Sequence, residues 1–260
     1  MDARAVRLVL LTAGAGYGKS TVLTQWAAVD ARPFAWLSLS VRHNDPVVLL
    51  TELAEVFLGV DPMVARSLGR LGSSGADVSS VQLPRLARII ERCPTPFVLA
   101  LDDVHHVSAR QAVGAIRMLA DSIPTGSQLA LAGRVEPAFP LGAMRARGAL
   151  LTLNFEDLAM GVDDATLIMG AAGVELDRWS VETLVDRTEG WPVALYLAAI
   201  ALQDASDPEE VARRFGGDDG FVVDYLRDEL FTMMSADSSA FLARTSVLDE
   251  LSGDLCDAVL

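Results

Sequence analysis

Ala13-Gly-Ala-Gly-Tyr-Gly-Lys-Ser20 is the stretch of this 260-residue sequence that decides its fold. It fits the pattern G-x-x-x-x-G-K-[ST], with Ala13 as a small replacement for the first glycine of the tight turn. The glycines let the backbone point its N–H groups at an anion, and the following helix adds the positive end of its dipole. Chance alone would produce such a match in about two of a hundred sequences of this length. The pattern therefore predicts a phosphate-binding loop rather than an incidental glycine-rich turn.

The side chains of this loop suit ATP or ADP bound together with Mg²⁺. Lys19 can reach the β- and γ-phosphates, the Ser20 hydroxyl can ligate Mg²⁺, and Thr21 can support the α-phosphate. The predicted nucleotide-binding residues are Ala13, Gly14, Ala15, Gly16, Tyr17, Gly18, Lys19, Ser20 and Thr21.

Short apolar runs alternate with helical patterns on both sides of the loop, which indicates βαβ units and a parallel sheet. The sequence therefore predicts an α/β fold of the P-loop NTPase kind. Five strands are predicted at Arg7–Leu11, Phe34–Leu39, Phe97–Leu101, Gln128–Ala132 and Ala149–Leu153, with helices at Thr21–Val29, Val47–Leu58, Val81–Arg92 and Ala109–Leu119.

Two of the predicted strands end in charged residues that suit the same chemistry. Asp102 and Asp103 follow one apolar strand, and open α/β sheets bind their ligands at this edge. We expect Asp102 to hold the Mg²⁺ shell and Asp103 to act as general base on the attacking water. Arg134 ends another apolar run and is predicted to sense the γ-phosphate. The alternatives are aspartates that only cap a turn, and an arginine exposed at a strand end.

His105 and His106 follow the acidic pair. Three histidines and two distant cysteines in the whole chain are too few for a zinc-type cluster. A structural polar role or a position near the phosphates is therefore favoured over metal ligation.

The overall charge argues against some functions and partners. A net charge of −14 is the wrong sign for neutralising nucleic-acid phosphates, so we expect no direct nucleic-acid contact from this segment. Cys93 and Cys256 form no disulfide framework, which favours a reducing, cytoplasmic location. The apolar run at Leu8–Leu11 is too short for a secretory signal, and no stretch approaches the length of a membrane span. We therefore expect no membrane partner.

Several further motifs accompany the phosphate loop: Gln25-Trp-Ala27, Ala35-Trp-Leu-Ser-Leu39, Asn44-Asp-Pro46, Leu101-Asp-Asp-Val-His105 and Thr188-Glu-Gly-Trp-Pro192. Together they resemble the STAND-class signal-transduction ATPases of the large LuxR-type, maltose-regulator-like transcriptional regulators. The resemblance covers nearly the whole chain. It corresponds to the N-terminal ATPase portion of such regulators.

The resemblance implies a particular architecture. It gives the strand order 5-1-4-3-2. In this order the fourth strand, which precedes Arg134, lies between the first strand, which precedes Lys19, and the third strand, which precedes Asp102. It also implies a nucleotide-binding domain at 1–154, a helical domain at 155–217 and the beginning of a winged-helix domain at 218–260. Pro192, in the Gly-Trp-Pro turn, corresponds to the proline that packs beside the nucleotide. The alternative for this turn is a plain helix start.

The function implied by the resemblance is a signalling switch. ADP would hold a closed form, ATP would favour an open, self-associating form, and slow hydrolysis would reset the switch. Family members also carry a segment before the first strand that completes the adenine pocket, and a C-terminal sensor with a DNA-binding helix-turn-helix. This sequence lacks both, so we expect it to be part of a longer protein. The alternatives are a continuously cycling AAA-type ATPase and a truncated nucleotide-binding remnant.

Overall fold

The computed structural model describes residues 6–72, 81–229, 234–248 and 250–260. The chain divides into two compact units, Met1–Ala159 and Met160–Leu260, and each is described here by itself. The domain limits predicted from the sequence, 1–154, 155–217 and 218–260, stay predictions.

The first unit contains a five-stranded sheet in which every strand pair is parallel. The strand order is β2-β3-β4-β1-β5, which is the predicted order 5-1-4-3-2 read from the other edge. The fold class and all five predicted strands are therefore confirmed. The strands are β1 (Leu8–Thr12), β2 (Phe34–Ser38), β3 (Val98–Asp102), β4 (Gln128–Gly133) and β5 (Leu150–Leu153).

Helices connect these strands, as parallel neighbours require. The predicted helix at Val47–Leu58 is observed as α2, which ends at Val56 and passes into a 3-10 turn at Phe57–Gly59. The Asp45 side chain caps its start by accepting from the Val47 N–H. The helices are α1 (Lys19–Val29), α2 (Pro46–Val56), α3 (Pro62–Gly72), α4 (Leu83–Glu91), α5 (Arg110–Ser122), α6 (Gly142–Ala146) and α7 (Phe155–Leu158).

The sheet is buried on both faces, because alternate residues of a strand point to opposite sides. Leu8 and Leu10 of β1 belong to the larger apolar cluster, which includes α2 to α5. Val9 and Leu11 belong to the smaller cluster, which Leu23 of α1 completes. This double cover fixes the strand ends that carry the predicted site.

The second unit is built from helices around its own apolar core. Asp207 illustrates how they begin, because its side chain accepts from the Glu210 N–H and a proline follows in the first turn. A winged-helix beginning at 218–260 stays a prediction. The helices are α8 (Val162–Ala171), α9 (Arg178–Thr188), α10 (Pro192–Gln203), α11 (Pro208–Arg214), α12 (Gly220–Glu229), α13 (Ala236–Thr245) and α14 (Gly253–Val259).

A search of the described ranges for a helix both long enough and apolar enough to cross a bilayer finds none.

Candidate functional site: the phosphate loop and the sheet edge

The phosphate loop joins the end of β1 to the start of α1. Gly16 and Gly18 have φ angles of 77° and 72°, in the left-handed region that favours glycine. Gly18 directly precedes α1, so the loop turns sharply and the N-terminus of the helix opens onto it. Gly16 and Gly18 thus adopt backbone conformations that favour glycine, beside the open N-terminus of α1.

Lys19 is held inside the loop. Its side-chain ammonium donates to the carbonyl oxygens of Ala13 at 2.9 Å and Gly14 at 2.7 Å, and the residue is only 8% exposed. Burial lowers the pKa of Lys19, and Arg134 lowers it further, whereas Asp102 and Asp103 oppose that shift. Lys19 is also the only lysine of the sequence. A phosphate entering the loop would meet a cation already pointed at it.

Ser20 and Asp102 meet at the predicted metal position. The Ser20 hydroxyl donates to Asp102 Oδ2 at 2.6 Å, and the backbone N–H of Asp103 donates to Asp102 Oδ1 at 2.9 Å. Asp102 is 3% exposed, which fixes its carboxylate at the end of β3. A hydroxyl and a carboxylate oxygen at this spacing fit Mg²⁺, a hard cation that prefers oxygen ligands.

Asp103 adopts a different orientation from Asp102. Its φ of 57° and ψ of 38° are left-handed, which is uncommon for a residue with a side chain. The carboxylate is about half exposed, and its Oδ1 lies 3.9 Å from His105 Nδ1. A strained residue next to a phosphate loop is typical of functional sites. The backbone therefore separates a buried carboxylate from an accessible one, and the two roles assigned to them stay predictions.

His105 and His106 form a stacked pair with ring centroids 4.2 Å apart. Neither ring nitrogen of His105 has a hydrogen-bond partner within the described residues, although both atoms are buried. Burial is the largest cause that lowers the pKa of His105, followed by His106, and Arg134 and Lys19 contribute while Asp103 opposes. His105 therefore lies within electrostatic reach of both Arg134 and Lys19. Its predicted role stays a prediction.

Arg134 follows β4, which runs between β1 and β3. The Ala13 N–H donates to the carbonyl of Gly133, so the phosphate loop and the segment before Arg134 are bonded directly. Gly133 is required there, because an added Cβ would lie 2.8 Å from Val104 Cγ2. The structure thus brings Arg134, Lys19 and the acidic pair to one edge of the sheet.

Asn44 is a residue of this edge that sequence reasoning did not identify. Its side-chain amide donates to the carbonyl of His106 at 2.9 Å, and its oxygen accepts from the N–H groups of Ser108 and Ala109. It ties the loop after β2 to the loop after β3. The sequence signal was the motif Asn44-Asp-Pro46, which contributed to the resemblance but gave the Asn44 side chain no role.

Three remaining predicted residues lie around or away from this edge. Tyr17 packs edge-on against Phe155 with ring centroids 6.3 Å apart, and Thr21 is exposed on α1. Pro192 lies in the second unit, buried as the first residue of α10. Its predicted packing on the nucleotide stays a prediction.

These features define the class: the first unit has the fold of a P-loop NTPase. Comparison with solved structures agrees, at identities that show the fold alone. A Signal Transduction ATPase with Numerous Domains (STAND) protein with a tetratricopeptide repeat sensor from Pyrococcus horikoshii matches 95% of this chain and 33% of its own, with TM-score 0.53 and 15% identity. A Walker-type ATPase of Pyrococcus abyssi matches 96% of this chain and 77% of its own, with TM-score 0.56 and 14% identity.

Two curated relatives are, by name, a transcriptional regulator and a protein kinase. The HTH-type transcriptional regulator MalT of Yersinia enterocolitica is 30% identical over 96% of this chain and 28% of its own length. The serine/threonine-protein kinase PknK of Mycobacterium tuberculosis is 29% identical over 97% of this chain and 23% of its own. No family model matches the chain. The resemblance to the maltose-regulator-like STAND ATPases is confirmed, and the chain spans about a quarter of the length of these relatives.

Proposed function

We propose that this chain is the nucleotide-binding switch module of a LuxR-type transcriptional regulator, and that it hydrolyses ATP slowly. The observation that carries the proposal is the hydrogen bond from Ser20 to the buried Asp102, which assembles an oxygen-ligand pair beside Lys19. The comparisons support the coarser statement, a regulatory nucleotide-binding ATPase module. Nucleotide specificity, kinetics and partners belong to the proposal.

In the proposed reaction, the loop N–H groups and Lys19 hold the β- and γ-phosphates. Ser20 and Asp102 would hold Mg²⁺, which would supply positive charge against the negative charge that develops in the reaction. Asp103 accepts the proton of the attacking water, and Arg134 stabilises the γ-phosphate. A low turnover rate is part of the proposal because the resemblance to signalling ATPases implies it.

The switch requires ADP and ATP to favour different arrangements of the protein, since a ligand with equal affinity for two states shifts neither. We propose that ADP stabilises a closed form through Pro192 and that ATP favours an open, self-associating form in the cytoplasm. The names of the relatives, a transcriptional regulator and a kinase, favour this over a motor.

The test is the nucleotide that the purified protein retains. The protein is denatured, the released nucleotide is identified by chromatography, and turnover is measured with excess Mg-ATP. Retained ADP with slow turnover supports the switch. Fast turnover without an activating ligand would favour a cycling AAA-type ATPase instead, and a folded protein that binds no nucleotide would be a remnant.

A further inference from the structure

The two units differ sharply in charge. Residues 160–260 hold 6 arginines, no lysine and 21 aspartates or glutamates, a formal charge of −15. Residues 1–159 hold 15 basic and 14 acidic residues and are close to neutral. Almost the whole negative charge of the chain therefore lies on the helical unit.

The six arginines of this unit are already counted in that charge. All six already donate to a carboxylate or a carbonyl oxygen within the unit. A surface of this sign repels nucleic-acid phosphates and anionic lipids and attracts basic groups. Charge complementarity thus favours a positively charged protein segment.

An apolar groove of about 340 Å³ opens between α8 and α10 on the same unit. It lies wholly within the second unit. Its small alanine side chains leave room for the side chains of a third element lying along the two helices. The groove is lined by Ile168, Ala171 and Ala172 from α8, and by Tyr196, Ala199 and Ile200 from α10.

Two features suit this groove to docking. Gln203 donates from its side-chain amide to the carbonyl of Ala172 at 3.0 Å, which fixes the C-terminal ends of α8 and α10 together. Tyr196 in the groove is 58% exposed and Leu167, on α8, is 73% exposed. A rigid apolar groove with an exposed aromatic residue is typical of sites that anchor a partner helix.

Three carboxylates lie close in sequence to the residues at the ends of the groove. Asp164 lies one turn before Ile168 on α8, while Glu175 and Asp204 follow the two joined helix ends. All three are exposed, and none forms an ion pair within the part of the chain that the structure describes. An apolar floor between acidic ends is complementary to an apolar stripe bordered by basic residues.

We propose that the α8–α10 groove docks a basic amphipathic helix of a partner protein. The aliphatic side chains of that helix enter the groove beside Tyr196, and its lysines or arginines lie against Asp164, Glu175 and Asp204. Docking involves none of the phosphate-site residues, so it stands or fails separately from the nucleotide switch.

The binding test uses three synthetic 18-residue peptides with the intact 260-residue protein. The first places leucines on one helical face and lysines on the other, the second scrambles that composition, and the third replaces lysine by glutamate. Fluorescence anisotropy of the labelled peptides is followed without nucleotide and with Mg-ADP. We expect the first peptide to bind at least about tenfold more tightly than either of the others, and more weakly as salt rises.

Groove variants separate docking from general attraction to an acidic protein. Tyr196→Ser and Ala171→Arg should each weaken binding of the first peptide at least about tenfold. Trp179→Ser is the matched control, because Trp179 is also 58% exposed but lies on α9 outside the groove. Asp204→Lys should weaken binding more than Asp186→Lys, which makes the same charge change at an exposed position on α9.

Two results would overturn the proposal. One is equal weakening by Tyr196→Ser and Trp179→Ser, or equal binding of the ordered and scrambled peptides, which would show attraction by charge alone. The other comes from sedimentation of the protein without peptide. If the protein self-associates and Tyr196→Ser makes it monomeric, the groove holds a second copy of the chain and not a separate basic helix.

Discussion

The hydroxyl of Ser20 donates to Oδ2 of Asp102 across 2.6 Å, joining two residues 82 positions apart in the sequence. The bond links the start of α1 to the end of β3, although β4 lies between β1 and β3 in the sheet. A Mg²⁺ ion would take oxygen ligands from both residues. We therefore expect the binding of Mg-nucleotide to change this hydrogen bond before the other contacts of the site. The first three predictions follow from the groups around it.

We expect Lys19→Ala to abolish nucleotide binding while leaving the protein folded. The substitution removes the ammonium group that the carbonyls of Ala13 and Gly14 hold inside the loop. Alanine offers no positive charge to the phosphates in its place. Calorimetric titration with Mg-ATP measures the loss. Arg117→Ala, an exposed position on α5, is the control.

The single lysine allows a second measurement on the unmodified protein. An amine-selective acylating reagent can label only Lys19 and the N-terminal amine, so peptide mass spectrometry reports on Lys19 alone. Bound Mg-ATP should protect it. Two results together would contradict the claim that Lys19 binds the phosphates. Mg-ATP would leave the labelling of Lys19 unchanged, and the Lys19→Ala variant would still bind ATP.

Asp103→Asn should leave ATP binding nearly intact and slow hydrolysis about a hundredfold or more. Losing a general base has this scale, and the half-exposed carboxylate of Asp103 lies 3.9 Å from His105 Nδ1, beyond hydrogen-bond distance. Single-turnover rates at saturating Mg-ATP provide the measurement. A rate within threefold of the parent would rule out the assigned base.

Asp102→Asn should act on the metal instead. The buried carboxylate accepts from Ser20 and from the Asp103 N–H, and an amide would offer Mg²⁺ a neutral ligand in its place. ATP affinity should then depend less on Mg²⁺ concentration than in the parent. The measurement is the ratio of ATP affinities with and without Mg²⁺ for each variant. If this ratio is the same for Asp102→Asn and Asp103→Asn, the two residues do not divide the roles as predicted.

The sequence was sufficient for the fold but not for all of the site. The loop from Ala13 to Ser20 and the apolar runs around it predicted the sheet, because local pattern and backbone geometry agree there. Its strand order came from the resemblance and not from the pattern. The bonds of Asn44 to the loop after β3 were missed, since they join loops about 60 residues apart whose approach only the assembled sheet determines.

The left-handed backbone of Asp103 was missed for a related reason. Aspartate is common in turns, so the residue type alone does not distinguish a strained position from a relaxed one. Val104, the residue after Asp103, packs so closely against Gly133 that a Cβ added at Gly133 would lie 2.8 Å from its Cγ2. The sequence does not show this close packing. The different exposures of Asp102 and Asp103 therefore could not be read from the sequence, and their different roles stay a prediction.

An ion pair at the opposite end of the sheet should govern part of the acid stability. Arg32 donates to both carboxylate oxygens of Asp30, which also accepts from the indole of Trp26. The hydrogen bond from Arg32 is the main cause that holds the pKa of Asp30 well below its usual range, against the opposing effect of burial. Arg32 also bonds Gly126 and Gln128 at the start of β4, so the pair connects two loops.

A depressed pKa in the folded state gives stability that is fully present above the unfolded value near 3.9 and is lost as pH falls below it. Asp30→Asn should therefore cost about 1 to 2 kcal/mol of unfolding free energy at pH 7. The difference from the parent should shrink as the pH falls below about 4. Urea unfolding at a series of pH values measures the loss of unfolding free energy and its dependence on pH, with Asp186→Asn as an exposed control. A loss that does not depend on pH would refute the stabilising role of the Asp30–Arg32 pair.

The switch itself can be tested at Trp191 and Pro192. If Pro192 packs on the nucleotide, ADP should raise the melting temperature by binding the native state, and Pro192→Ala should lose much of that gain. ATP should raise it less, because a γ-phosphate beside Arg134 is expected to favour the open form. Trp191 packs edge-on against Tyr225 with ring centroids 5.7 Å apart, so its fluorescence should differ between the two nucleotides.

The comparison uses melting curves and tryptophan fluorescence of the parent and of Pro192→Ala, each with ADP and with a non-hydrolysable ATP analogue. Trp191→Phe identifies the part of the signal that comes from this tryptophan among the four in the chain. Pro208→Ala is a matched control, because Pro208 also begins a helix of the second unit. Equal melting shifts for both nucleotides, unaffected by Pro192→Ala, would mean that α10 does not respond to the nucleotide. The phosphate loop would then belong to a simple ATPase, since no second element would distinguish ADP from ATP.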